Sequence, residues 1–539
     1  MKPTDEQQAI LKAGGRVVRI NARAGTGKTT TLKMLADRYR NQRILYLVFN
    51  RKAREAAQAA FPSNVDALTV HALAYRREGY KWRDTLGHFS PADMLAAFGK
   101  KEQVLATLSH DFLIFFLNSE YDKLEDAVRP FLKELPERLR DLFQYDQPRL
   151  IQAARQIATA WNTRQKACPH DFYLKLCHKS GNLQAALNRY DLLLIDEAQD
   201  LSPVMLDALR TCRKRLILVG DSHQQIYSFR YAIDAMQKIA CDEEFDLSLS
   251  FRFGDSIAEL ASIFIQEAKQ EPQFCIRGNR HANSTVALYC QIHAAKRSTT
   301  AVLSRSNVAL FENAVHFRSR AVPFTFERDI YPLLMRTLDV YWLATYQPEQ
   351  IRDPLLRSFK HVEDLETYAR DTDNFQLQGM LDIVERYAEQ FPEIIFELQP
   401  LTQFGKDRIT KKGVILSTIH SAKGQEYDQV YIDADMAENL DVVMKNDLEG
   451  MTDEINVAYV GFTRAKHHLH LPLEIQSVLT PRWNKYLEQY RAPDKHYQPG
   501  DRVFTELGPG TLLESDGSYC LVNIAARDAI ARLRVEQIR

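Results

Sequence analysis

Apolar and polar positions follow two alternating rhythms along the chain. Short, mostly apolar runs at residues 17–21, 44–49, 192–195 and 215–220 read as strands, and a helix is expected from Lys28 to about Tyr39. Alternating strands and helices predict a parallel sheet with helices on its faces. From about Tyr75 to Asn188 the pattern turns largely helical before the sheet resumes, so a helical domain interrupts the first α/β domain. A second α/β set begins around Asp246, with strands at 301–304, 414–417 and 429–432, and is interrupted by a helical stretch at 331–401. The tail from about Gly500 is short, β-like and turn-rich. The expected division is 1–74 with 189–240, a helical insertion at 75–188, 241–330 with 402–485, a short helical insertion at 331–401, and a small β domain at 498–539.

Composition narrows this picture. At 539 residues the chain exceeds what one core organises, and 45% hydrophobic with 26% charged residues is ordinary for a soluble multi-domain protein. Lys plus Arg and Asp plus Glu each total 70, so any polyanion site is a local patch rather than a general basic field. No apolar stretch approaches the roughly 20 residues that span a bilayer. The polar, acidic start at Met1 to Gln7 is unlike a signal peptide, and the expectation is a soluble, cytoplasmic chain with no membrane partner. Seven dispersed cysteines fit a reducing compartment. Cys168, His170, Cys177 and His178 are a cluster of metal-binding residue types, but their spacing matches no standard zinc set.

The chemistry is concentrated in two places. After the first strand comes Ala22-Arg23-Ala24-Gly25-Thr26-Gly27-Lys28-Thr29, followed by a helix. Its glycines let backbone N–H groups approach phosphates, Lys28 brings a point charge to the β and γ positions, and the Thr29 hydroxyl suits magnesium. Ala22 stands where the usual pattern begins with glycine. Far downstream, the run Leu192 to Ile195 delivers Asp196-Glu197-Ala198-Gln199-Asp200 to a strand tip. This pairing resembles the P-loop NTPases, with Asp196 as magnesium ligand and Glu197 as the base that orients and deprotonates water.

Further motifs follow in the order found in superfamily 1A helicases of the UvrD/Rep type, and the resemblance covers nearly the whole chain. Thr4-Asp5-Glu6-Gln7 resembles the Q motif, making Gln7 the adenine reader with Gln8 as the alternative. Phe49-Asn50-Arg51-Lys52-Ala53 is similar to motif Ia, and Thr69-Val70-His71 to motif Ib. The stretch Val219 to Arg230 resembles motif III, Leu249 to Arg252 motif IV, Thr418 to Tyr427 motif V and Val457 to Lys466 motif VI. The resemblance implies that Gln224 senses the γ-phosphate and that Glu426 binds the ribose. It implies that Phe49, Asn50, Thr69, His71, Tyr227, Phe229, Arg230, Thr418 and His420 meet DNA. Arg252 and Arg464 then act as arginine fingers from the second α/β domain, tying closure to ATP, and stacking aromatics grip bases without regard to sequence.

The chain departs from that pattern at several points. Thr30 follows Thr29 where the family has an adenine-stacking Arg, and Phe251 replaces the Tyr of motif IV. Phe229 stands for a Trp and Tyr231 for a Gly in motif III. Within the family the chain resembles the F-box DNA helicase branch minus the F-box, through residues 24–29, residues 351–359 and a short insert in the second domain. The implied fold is two RecA-like domains in a 1A/1B/2A/2B layout with a short 2B and a Tudor-like C-terminal domain. The implied function is an ATP- and Mg²⁺-dependent 3′ to 5′ translocase and helicase on single-stranded DNA and its duplex junctions, in repair or recombination. The C-terminal domain is the expected protein contact. Two alternatives are a DNA-stimulated ATPase that strips proteins or senses DNA ends, with phage defence as one setting, and a nucleotide-gated scaffold.

Overall fold

A computed structural model of the chain describes residues 2–99, 101–228, 231–289, 292, 298–402, 413–446, 451–477, 499–500, 502–505, 508–515, 519–524 and 529–534. It divides into two compact units, Met1–Ser248 with Ile330–Pro400, and Leu249–Asp329 with Leu401–Arg539.

The first unit is built on a parallel six-stranded sheet. Its strands are β1 (Val17–Ala22), β2 (Ile44–Leu47), β3 (Val65–Leu68), β4 (Leu192–Ile195), β5 (Arg215–Gly220) and β6 (Glu243–Leu247), in the order β3-β2-β4-β5-β1-β6. β2 and β4 are buried throughout, as strands covered on both faces must be, which is why they read as unbroken apolar runs. Leu192 and Leu194 point to one face and pack with Ile20, Tyr46, Leu32 and Leu35, the last two from the helix Lys28–Arg38. Leu193 and Ile195 point to the other, toward a helical core that contains Phe112, Phe131, Phe143 and Trp161. That core belongs to the helices Gln103–Asn118, Leu124–Glu134, Glu137–Asn162 and His170–Lys179.

One boundary is corrected here, and one insertion gains a packing partner. The second unit was expected to begin at 241, but β6 pairs in parallel with β1, Phe245 opposite Ile20, and belongs to the first sheet. The helical stretch 331–401, expected as an insertion of the second domain, does interrupt the second unit in sequence, while its helices Tyr331–Ala344, Val362–Asp371 and Phe375–Tyr387 pack into the first unit. The cause is an apolar face containing Val340, Leu365 and Leu377, which meets Leu95 and Val104. Thr107 and Tyr368 share a buried hydrogen bond of 2.6 Å across that contact, and Arg138 pairs with Asp371 at 2.7 Å.

The second unit holds another parallel sheet. Its strands are β7 (Thr285–Tyr289), β8 (Thr300–Ser304), β9 (Phe324–Phe326), β10 (Val414–Thr418), β11 (Tyr427–Ile432) and β12 (Ala465–Pro472), ordered β7-β12-β11-β8-β10-β9. A four-stranded antiparallel sheet follows, made of β13 (Arg502–Thr505), β14 (Gly508–Ser515), β15 (Tyr519–Ile524) and β16 (Ala529–Arg534). Its small core includes Val503, Leu512, Cys520, Val522 and Ile524. No described helix is long and apolar enough to cross a membrane.

Candidate functional site

Among the described residues, the candidate groups of the first unit hang from the C-terminal edge of its sheet or from neighbouring helices, where open parallel sheets bind ligands. β1 ends at the fully buried Ala22, and the chain then turns through Arg23, whose N–H donates to the Leu247 carbonyl at 3.0 Å. Gly25 and Gly27 sit at φ +74° and +79°, in the left-handed region, so the loop needs glycine at both. The Thr26 hydroxyl donates to the Arg23 carbonyl at 2.8 Å and closes the turn, while Ala24 is buried beneath it. Lys28 opens the following helix, with Thr29 and Thr30 exposed on its first turn.

Asp196 and Glu197 leave the tip of β4 beside that loop. Lys28 Nζ lies 3.1 Å from Glu197 Oε1. Burial works against the Lys28 ammonium, but Glu197, Asp196 and Asp221 outweigh it and raise its pKa, so the cation is retained. Burial, then the neighbouring Glu197, push Asp196 up to about 6, while Lys28 and Tyr46 pull the other way. Tyr46, on β2, donates its hydroxyl to Asp196 Oδ2 at 2.6 Å. Glu197 itself takes a left-handed backbone at φ +51° and donates its N–H to Asp196 Oδ1 at 3.0 Å. From Glu197 a relay runs to the tip of β5. Gln199 Nε2 donates to Glu197 Oε2 at 2.5 Å, the Asp221 N–H donates to Gln199 Oε1 at 3.1 Å, and Gln224 Nε2 donates to Asp221 Oδ2 at 2.7 Å.

The relay borders an aromatic cavity of about 480 Å³ lined by Asp196, Glu197, Phe49, Thr69, His71, Asp171, Tyr227 and Tyr231, among others. Phe49 and Tyr227 stack with ring centroids 5.4 Å apart and planes 10° from parallel. Asn50 and Thr69 are the N-caps of the helices Arg51–Ala60 and Val70–Tyr75, accepting from Ala53 N–H at 2.9 Å and Ala72 N–H at 3.1 Å. His71 Nε2 donates to Asp171 Oδ1 at 2.8 Å. Burial opposes ionisation of Asp171, yet the His71 bond and its charge hold the carboxyl below its usual range. Phe229 and Arg230 lie outside the described residues.

The remaining candidates belong to the second unit. Arg252 Nε donates to Glu426 Oε2 at 3.0 Å and its Nη1 to the Thr463 carbonyl at 2.7 Å. Arg464 is buried and donates to the Val460 and Gln425 carbonyls at 3.0 and 3.3 Å. Phe251 is exposed, and Thr418 caps the turn Ile419–Ala422 that carries His420.

Residues 3–242 match the family model described as the UvrD/REP helicase N-terminal domain, and residues 347–474 match the UvrD-like helicase C-terminal domain. The chain belongs to the UvrD-like helicase family. It is 28% identical to F-box DNA helicase 1 of Gallus gallus over 89% of this chain and 50% of that one. It is 26% identical to F-box DNA helicase protein 1 of Schizosaccharomyces pombe over 87% and 57%. It is 23% identical to ATP-dependent DNA helicase UvrD2 of Mycobacterium tuberculosis over 87% and 78%. The chain thus spans about half the length of the two F-box helicases.

Three features of this UvrD-like helicase escaped the sequence. Gln7 is committed to protein at both ends of its amide, accepting from the Thr4 N–H at 3.0 Å and donating to Thr31 Oγ1 at 3.1 Å. It therefore straps the helix Asp5–Lys12 to the helix Lys28–Arg38, and one N–H and one lone pair remain for a base. Asp171 reaches the cavity from the helical insertion, and only its place three-dimensionally beside His71 marks it. Tyr46 falls within the apolar run 44–49, and nothing local distinguishes its hydroxyl. His170 and His178 bond to Tyr173 and Asp207, while burial pushes the Cys168 and Cys177 thiols up to about 11 and about 12.

Proposed function

We propose that the chain is an ATP-driven translocase and helicase on single-stranded DNA, moving 3′ to 5′. One observation carries this reading: the hydrolytic carboxylates and the stacking aromatics line a single cavity, joined by the relay Glu197–Gln199–Asp221–Gln224. A change at a γ-phosphate is thereby felt at the strand tip that leads to Tyr227.

The donor set suits a magnesium nucleotide. The loop carries two left-handed glycines, Lys28 keeps its charge, and Thr29 follows it on the exposed first turn of the helix. Thr29 and Asp196 would hold the cation, and the loop 22–30 the phosphates. When bound, the cation neutralises charge building on the phosphate oxygens. Glu197 has its two oxygens set by Lys28 and Gln199, an orientation that suits taking a proton from water. Gln7 is assigned to adenine, and Phe251 and Glu426 to the base and ribose from the second unit. Arg252 and Arg464 are assigned as fingers that engage on closure. Phe49, Asn50, Thr69, His71, Tyr227, Phe229, Arg230, Thr418 and His420 are assigned to the DNA path. In the finer layout, 1A and 2A are the two sheet domains, 1B is the first helical insertion, and the terminal sheet is a Tudor-like module for protein contacts.

The reading is tested by hydrolysis with and without single-stranded DNA, then by unwinding of 3′-tailed and 5′-tailed duplexes. DNA-stimulated turnover, its loss in Glu197→Gln with ATP binding kept, and unwinding of the 3′-tailed substrate are expected. Hydrolysis indifferent to DNA or to that substitution refutes the motor. Stimulated hydrolysis with both duplexes intact would favour a translocase that strips proteins without unwinding.

A further inference from the structure

We propose that Tyr46 is a positioning residue for the divalent cation, fixing Asp196 through its hydroxyl. The inference rests on the nucleotide-site reading above. Tyr46 is 2% exposed, and its ring packs on Phe61 with centroids 4.6 Å apart. Its hydroxyl donates to Asp196 Oδ2 at 2.6 Å. One buried phenol on β2 thus holds the carboxylate at the tip of β4 that is assigned to the cation.

The consequence follows from counting donors and lone pairs. Asp196 Oδ1 takes the Glu197 N–H at 3.0 Å, and Oδ2 takes the Tyr46 O–H, so the carboxylate is held against rotation with a lone pair left on each oxygen. The nearby ammonium does not supply this restraint, because Lys28 pairs with Glu197 instead. Phenylalanine would fill the same space, so the hydroxyl has a role beyond packing. Outer partners of metal ligands typically set affinity by roughly 10- to 100-fold.

The test compares wild type, Tyr46→Phe and Phe61→Leu by Mn²⁺ titration followed by electron paramagnetic resonance in the presence of ADP, alongside ADP affinity in EDTA. Tyr46→Phe should weaken Mn²⁺ binding by roughly tenfold and leave metal-free ADP affinity unchanged. Phe61→Leu, which loses the ring contact and keeps the hydroxyl, should bind Mn²⁺ as wild type does. Equal Mn²⁺ affinity in Tyr46→Phe overturns the proposal alone. So does an equal loss in Phe61→Leu, or a loss of metal-free ADP binding in Tyr46→Phe, since either marks a packing role. Failure of the wild type to bind Mn²⁺ with ADP overturns the nucleotide-site reading as well.

Discussion

Gln199 reaches back two residues to Glu197, its Nε2 2.5 Å from Oε2, and the same amide takes the Asp221 N–H on its oxygen. The proposed base is therefore oriented by a group that also reads the position of β5. Gly220 leaves room for it, because a Cβ there would stand 2.6 Å from Gln199 Oε1. Gly220→Ala should displace the amide and lower DNA-stimulated turnover by roughly 10²-fold, the cost of misplacing a catalytic group by about 1 Å. Gln199→Ala should do the same with ATP binding kept. If both act through one contact, the double variant is no worse than either single one. Additive losses in steady-state kinetics would break the link.

The Phe49–Tyr227 stack gives a second expectation. Base stacking contributes about 1 to 3 kcal/mol per aromatic platform. Phe49→Ala and Tyr227→Ala should each weaken binding of a labelled single-stranded oligonucleotide by about that amount, irrespective of its sequence. Fluorescence anisotropy reads this directly, and affinity unchanged in both variants would remove the pair from the DNA path.

Legibility from sequence followed burial. β4 and β5 were read correctly end to end, because strands covered on both faces are apolar throughout. β3 and β6 were missed, and both are edges of the first sheet; in the second sheet the edges β7 and β9 were missed, and so was the interior β12, a histidine-rich strand buried at only some of its positions. β6 reads Glu243-Glu244-Phe245-Asp246-Leu247, and its outward Glu244 bonds Arg19 and Asn21, so its charges mimic a loop. The site divides in the same way. Lys28, Asp196 and Glu197 are legible because loop and strand tip impose local patterns. Tyr46 and Asp171 act on residues 150 and 100 positions away, and no local pattern encodes such a contact.

Tyr231 occupies a position where the family has glycine, and its φ of +60° shows why glycine suits it. The ring offsets the strained backbone by packing edge-on against Phe115 at 5.2 Å, joining the β5 loop to the helix Gln103–Asn118. Two effects then separate by substitution. Tyr231→Ala keeps the left-handed penalty and loses the ring, whereas Tyr231→Gly loses the ring but relieves the backbone. The glycine variant should be the more stable by about 1 kcal/mol in denaturant unfolding, the reverse of the order in a helix or strand. The usual order, alanine above glycine, would refute the strain.

The helix His170–Lys179 supplies Asp171 to the aromatic cavity and is anchored from behind by Lys175. Lys175 is 2% exposed, donates to the Ser119 carbonyl at 2.6 Å and lies 4.5 Å from the Phe116 ring centroid. Burial, only partly offset by Asp122, pushes its pKa down to about 8. Between pH 8 and the ordinary lysine range near 10.4, the unfolded chain therefore binds a proton that the folded chain does not. Stability rises with pH wherever the unfolded state binds more protons, so this lysine costs most below pH 8 and progressively less above it. Lys175→Met has nothing to titrate there, and other groups cancel in the comparison. The unfolding free energy of wild type relative to Lys175→Met should rise by about 2 kcal/mol between pH 7 and pH 10. Urea unfolding of both proteins at the two pH values measures it, and a difference that stays flat with pH would mean the ammonium is as well solvated in the fold as in water.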